Sequence, residues 1–282
     1  MSPRTLRDWD EAKTVLSGLD AHVFRGLRDP KWKLESLFER EPWVKQFRGH
    51  GKPIQCSFNN DGYEVNRDDY LARFCETDPM RTESKVAKDD ELWALGRHFG
   101  LITPLLDWTR NWRVAAFFAL SDWVGWIHRF EGGDDPDTDT LKKRKEENPS
   151  ACVWVLAREP SPFTEGEFRL IEAAPKSERF RKRQEAQGGI YTQILTGEHF
   201  DVEAYLQESG NIQNLCQYSI PGCCAKRALK ELHDAEIDYA HLFPDPEGWA
   251  KHSNVLSRLC GFGEGLNAKT ERVKQFRTRS NH

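Results

Sequence analysis

His98-Phe99-Gly100-Leu101-Ile102-Thr103-Pro104-Leu105-Leu106-Asp107-Trp108-Thr109, with Val114-Ala115-Ala116-Phe117-Phe118-Ala119-Leu120 just beyond it, is the stretch on which the fold reading turns. It sets polar residues between two apolar patterns of helical period. Leu92, Leu95 and Phe99 recur at helical spacing before it, and Val114, Phe117, Phe118 and Leu120 after it. Gly100 predicts a C-terminal helix stop. Thr103-Pro104 enforces an extended dipeptide, because the proline ring crowds the helical conformation of the preceding residue. Leu105-Leu106 reads as a short buried strand. Asp107 or Thr109 is then expected to cap the second helix with a side-chain oxygen. Asp107, Trp108 and Thr109 therefore stand where a strand end opens into a helix, a place where polar groups often face a ligand.

Working outward, Leu6 to Leu19 carries a helical pattern. Ala21 to Phe24 reads as a short strand ending in Arg25-Gly26, with a short helix over Trp32 to Phe38 behind it. Lys45 to Asp61 reads as loop, and Asp68 to Glu76 and Asp89 to Phe99 as helices. Downstream, strands are expected at Ala151–Ala157, Phe168–Ile171, Ile190–Leu195 and Cys216–Ile220. Helices are expected at Val202–Glu208, Ala225–Asp234 and from Tyr239 to about Leu259. Glu131 to Pro149 is charged and poor in apolar residues, and is expected to be an exposed, mobile loop inserted into the domain. Strands and helices do not alternate strictly. The expected fold class is α+β: one mixed domain with a twisted central sheet flanked by helices. Its parts are an N-terminal helix at 1–19, a domain at 20–259 with the charged insertion at 131–149, and a polar tail at 260–282.

The 282 residues are 38% apolar and 30% charged, as in soluble globular proteins, and the net charge of −4 argues against a global grip on nucleic acid. A local basic strip remains at Arg179, Arg181, Lys182 and Arg183. No apolar run approaches the roughly 20 residues that span a bilayer, so no membrane association is expected. The charged N-terminus lacks the apolar core of a signal peptide, which places the protein in the cytoplasm. Seven cysteines form no disulfide framework. Cys216, Cys223 and Cys224, with His233, are the only cluster. Without a CxxC pair they read as buried apolar thiols, and no metal is expected.

Several residues suit chemistry, each with a plainer alternative. Arg25 offers a donor fork for phosphate or carboxylate, or is a surface arginine in a turn. Gly26 lets a ligand approach the backbone. His98 is a ligand contact or a half-buried histidine bonded to a carbonyl. Asp107 and Thr109 face a ligand or only cap a helix. Gln187, before two glycines and a strand, is a turn residue or an amide aimed at a ligand. P-loop, GxGxxG, HExxH and GxSxG signatures are all absent.

Four blocks resemble the FRG-domain family. They are Val23-Phe24-Arg25-Gly26 with Trp32 to Phe38; the His98–Thr109 motif with Val114 to Ala119; Gln187-Gly188-Gly189-Ile190-Tyr191 with the residues from Arg181 before it; and Leu242 to Ala250. They run in order over about 20–250. The family usually has arginine where Pro104 stands, so an arginine contact near this motif is lost or replaced.

A more distant resemblance is to mono-ADP-ribosyltransferases. In these a first strand ends in Arg-Gly, a later strand ends in a Ser-Thr-Ser motif before a helix, and a final strand begins with a catalytic glutamate. Arg25-Gly26, Asp107-Trp108-Thr109 and Gln187 fall in the same order. That resemblance implies an ADP-ribosyltransferase-like enzyme with NAD as substrate and a macromolecular target; the kind of family suggests a toxin or phage-defence effector, and whether a regulatory protein partner restrains it is left open by the sequence. The resemblance implies that Arg25, Gly26, His98 and Thr109 bind the NAD. Cleaving the glycosidic bond develops an oxocarbenium-like centre that wants a carboxylate. Gln187 supplies none, so Asp107 or Glu185 would substitute for it. Otherwise the chain is a nucleotide-sensing module without turnover. A third reading has Arg179 to Arg183 gripping nucleic-acid phosphates.

Overall fold

The computed structural model describes residues 3–40, 56–58, 63–65, 93–94, 96–97, 100–128, 138–159, 161–163, 167–172, 178–194 and 201–260. The expected helix over Asp68–Glu76, most of that over Asp89–Phe99, and the 260–282 tail beyond Cys260 lie outside them.

The strands are β1 (Arg4–Thr5), β2 (His22–Leu27), β3 (Cys56–Phe58), β4 (Tyr63–Val65), β5 (Leu106–Thr109), β6 (Ser150–Ala157), β7 (Phe168–Ile171), β8 (Gly189–Ile194) and β9 (Leu215–Pro221). Seven of them form one open sheet in the order β1-β9-β6-β2-β5-β8-β7, and β3 and β4 pair separately. Cys56–Phe58 falls in the stretch expected to be loop. The large sheet is antiparallel except for its edge, where β1 runs parallel to β9. The helices are α1 (Trp9–Ser17), α2 (Leu37–Arg40), α3 (Trp112–Ile127), α4 (Thr138–Glu147), α5 (Glu178–Gln187), α6 (Val202–Glu208), α7 (Ala225–Asp234), α8 (Tyr239–Leu242) and α9 (Pro246–Cys260). The α+β class with one mixed sheet flanked by helices stands as expected.

Both faces of the sheet are covered, and β6 shows it residue by residue. Ala151, Val153 and Val155 join the core beneath α1, α3 and α7. Cys152, Trp154 and Leu156, alternating with them, join the core beneath α6. The helix α3 is buried almost all round and lies across β2 and β6. Its N-cap is Asn111, whose side chain accepts from the Arg113 N–H at 3.0 Å, and not Asp107 or Thr109 as expected. The reason is that β5 runs on through Thr109, three residues past the expected strand.

The 1–19 segment holds the expected helix, α1, with β1 ahead of it extending the sheet and Leu6, Trp9, Ala12 and Leu16 buried in the core. Two further expectations are corrected. The charged insertion contains α4, anchored by a buried Arg144 whose guanidinium donates to the Trp126 and Ile127 carbonyls at the end of α3. Arg144 on these orphan helix carbonyls, Leu141 packed on the core and Asn148 bonded to Trp123 and Arg28 hold a helix that its apolar content did not announce. Among the cysteines Cys152 is buried, but Cys223 is exposed and Cys216 and Cys224 are half-buried. No helix among the described residues is long and apolar enough to cross a membrane.

Candidate functional site

The site begins as a gap in the sheet. β2 registers with β6 over its whole length, but with β5 through one residue pair, Phe24↔Thr109. Next to that pair a side chain takes over from the ladder: Arg25 Nη1 donates to the Asp107 carbonyl at 2.6 Å. A cleft of about 340 Å³ opens there, within the size range of small-molecule sites. Arg25, Arg97, Asp107, Arg183 and Gln187 supply its charged and amide groups, and Phe24, Phe118, Tyr191 and Phe243 much of its apolar wall.

Arg25 lies in the middle of β2, because the strand continues to Leu27 instead of ending at the Arg-Gly pair. Its side chain is 14% exposed, and its Nε is buried without a hydrogen-bond partner among the described residues. Burial, then the neighbouring Arg40 and Arg97 charges, push its pKa down to about 10, while Asp107 holds it up. Arg25 therefore stays charged at neutral pH. Arg97 comes from the helical turn before Gly100. Gly100 has φ +89°, Gly100 N–H reaches the Arg97 carbonyl and Leu101 N–H the Gly96 carbonyl, which is a Schellman stop. That stop sets the Arg97 guanidinium on Asp107, with Nη2 to Oδ2 at 2.6 Å and Nε to Oδ1 at 3.4 Å. Burial lowers the Arg97 pKa, but the Asp107 carboxylate outweighs it and holds the group above its ordinary value. Burial raises the Tyr191 phenol, with the Asp107 charge adding to it. Arg183 lies over the Phe243 ring, 4.0 Å from its centroid.

The remaining expected residues fall into three groups. Thr109 and Gln187 reach the cleft but hold its frame. The Thr109 hydroxyl donates to the Gln187 carbonyl at 2.6 Å and accepts from the Asn111 N–H at 3.0 Å. Gln187 closes α5 just before β8, and its amide donates to the Leu242 carbonyl at 3.0 Å. Gly26 lines the cleft, yet a Cβ on it would lie 1.9 Å from the Ala115 carbonyl oxygen. The space above that glycine is filled by α3, so its smallness serves helix packing where ligand approach was expected. Glu185 faces solvent, with a side chain 68% exposed and 3.7 Å from Arg181, and does not line the cleft. His98 lies outside the described residues.

Sequence reading missed Arg97 and did not bring Arg183 to the cleft. The signals were slight. Arg97 sits three residues before a helix-stopping glycine, and Arg183 is four residues before Gln187, on the same helix face.

As a chemical environment the cleft is electropositive: three guanidiniums face one carboxylate. That carboxylate already carries two of them, since Arg25 Nη1 is also 3.7 Å from Asp107 Oδ2. Aromatic rings flank the charge. This combination suits a phosphate joined to a flat ring.

Residues 20–123, which hold β2, β5 and most of α3, match the family model described as FRG domain. No curated protein and no solved structure matches the chain.

Proposed function

We infer that the cleft binds a phosphate-bearing nucleotide, with NAD as the leading ligand. One observation carries this reading. Arg25 is buried at the cleft with Nε unpartnered, beside Arg97 and Arg183. A buried donor left unsatisfied costs about 1–3 kcal/mol, and an entering phosphate oxygen relieves it. The cleft volume suits the phosphates and one ring, with the rest of a dinucleotide passing over the rim. The aromatic side chains supply the stacking surface.

Transfer of ADP-ribose to a macromolecule is the second reading, and Asp107 favours it. Among the described residues lining the cleft it is the one acid, and its side chain keeps 39% exposure. A carboxylate stabilises an oxocarbenium through its negative charge. Here both oxygens meet Arg97, which spends part of that charge before a substrate arrives. Binding without turnover is therefore the reading the geometry supports best. A role in defence against phage would require the transfer reading as well as a target.

The test is calorimetry of the full chain with NAD. Wild type should bind, and Arg25→Ala should bind roughly ten- to a hundredfold more weakly, the worth of a charge-assisted hydrogen bond of about 1.5–3 kcal/mol. Arg25→Lys should recover only part, since an ammonium lacks the planar fork. No heat and no thermal shift at millimolar NAD with folded protein would remove both readings.

A further inference from the structure

Away from the cleft, one buried carboxylate gathers three imidazoles. Asp238 caps α8 and its side chain is 4% exposed. Its Oδ2 lies 2.6 Å from His233 Nδ1. Its Oδ1 lies 2.9 Å from His241 Nδ1 and accepts the His241 backbone N–H at 3.0 Å. His252 Nδ1 approaches Oδ1 to 3.8 Å, and the His233 and His252 rings are 5.3 Å apart, tilted by 35°. One donor atom each from His233, Asp238 and His252 lies within 4.8 Å of the other two.

The backbone is bent to make this cluster. Glu236, between α7 and α8, has φ +60° although it is not glycine. A left-handed residue with a Cβ costs on the order of 1–2 kcal/mol. The Ala235, Glu236 and Ile237 N–H groups bond back to α7 carbonyls, which turns the chain so that Asp238 returns beside His233. His252 is delivered independently, from the middle of α9.

We propose that His233, Asp238 and His252 form a binding site for a divalent transition metal of the zinc class, with His241 as the positioning residue that holds the carboxylate. Imidazole nitrogen with one carboxylate oxygen suits zinc and its neighbours, whereas magnesium and calcium take all-oxygen sets. Bonds of about 2.0–2.2 Å in a tetrahedron place donor atoms roughly 3.4 Å apart. His233 and His252 approach different oxygens of Asp238, Oδ2 at 2.6 Å and Oδ1 at 3.8 Å, so a single shared oxygen ligand requires both rings to turn about the carboxylate, which rotation of the half-exposed His233 and of His252 provides. Each imidazole binds neutral through Nδ1, with its proton on Nε2, and water fills the remaining position. The exposed edge of His233 gives the ion an entry path.

Occupancy would clamp α7, α8 and α9 together. The last residue of α8, Leu242, accepts from the Gln187 amide, and Phe243 after it forms part of the cleft wall. The metal would thus stiffen one side of the cleft, whatever the cleft binds.

The experiment titrates zinc chloride into chelator-stripped full-length protein by calorimetry, with cobalt chloride as the spectroscopic probe. Wild type should take one zinc per chain, and His233→Ala/His252→Ala should bind at least about a hundredfold more weakly. His241→Ala should keep the stoichiometry and lose roughly tenfold or more, as carboxylate-orienting partners of metal sites do. Wild-type cobalt protein should show d–d bands without a thiolate charge-transfer band, a readout that does not depend on any variant folding. No zinc binding, unchanged binding in the double variant, or a thiolate band from a site such as the exposed Cys223 would each overturn the proposal.

Discussion

Arg97 Nη2 lies 2.6 Å from Asp107 Oδ2, across the floor of a cleft whose other cations are Arg25 and Arg183. This pair decides what the cleft can do. It takes up much of the charge of the one carboxylate that, among the described residues, lines the cleft beside three guanidiniums, so the site is better matched to an anion than to stabilising a cation.

Asp107→Asn separates binding from transfer. Removing the carboxylate frees Arg97 and raises the positive surplus, so NAD affinity should hold or tighten, read by calorimetry. Folding stability should fall by about 1–3 kcal/mol, because two partly buried guanidiniums lose their partner. If wild type turns NAD over, the variant should lose that turnover. An affinity loss of tenfold or more would mean that Asp107 itself contacts the nucleotide.

Gly26→Ala should be among the costliest single-methyl additions in the chain. The new Cβ meets the Ala115 carbonyl carbon and oxygen and the Ala119 nitrogen, all backbone atoms that cannot swing away. The expected cost is about 3 kcal/mol or more, on the order of a 6–12 °C drop in Tm. Gly210→Ala is the contrast, with open space around it but φ +73°. It should cost about 1–2 kcal/mol from backbone conformation alone. Equal melting shifts for the two would refute the close-packing account.

Much of the frame was legible in the sequence. The helices Val202–Glu208 and Ala225–Asp234 and the strand Phe168–Ile171 were readable to the residue, because apolar period and flanking Asp, Gly and Pro agree there. Arg25, Gly26, Asp107, Thr109 and Gln187 were expected at one site and do line one cleft. Their jobs were not legible. Whether Thr109 faces a ligand or ties β5 to α5 depends on where the Gln187 carbonyl ends, and that is set by a left-handed Gly188 three strands away in sequence. Arg97 was hidden for a similar reason: its partner, ten residues on, lies across a helix stop and a proline.

Alkaline conditions should expose the buried thiol of β6. Burial, with the Asp29 charge adding to it, pushes Cys152 from 9.0 up to about 12. The folded state therefore keeps a proton that the unfolded chain releases near pH 9. Its stabilising contribution is complete below pH 9 and is lost as pH rises towards 12, at up to about 1.4 kcal/mol per pH unit. Cys152→Ala should be less stable at pH 7 but should show a shallower decline between pH 9 and 11 in denaturant titrations. Parallel declines would contradict this assignment.

The most direct test of the nucleotide reading is a crystal structure of the full chain grown with NAD. A diphosphate oxygen is expected about 2.7–2.9 Å from Arg25 Nε, with Arg183 or Arg97 on the same phosphates and a ring against the aromatic wall. Nucleotide bound with its phosphates elsewhere, leaving Arg25 Nε unpartnered, would contradict it.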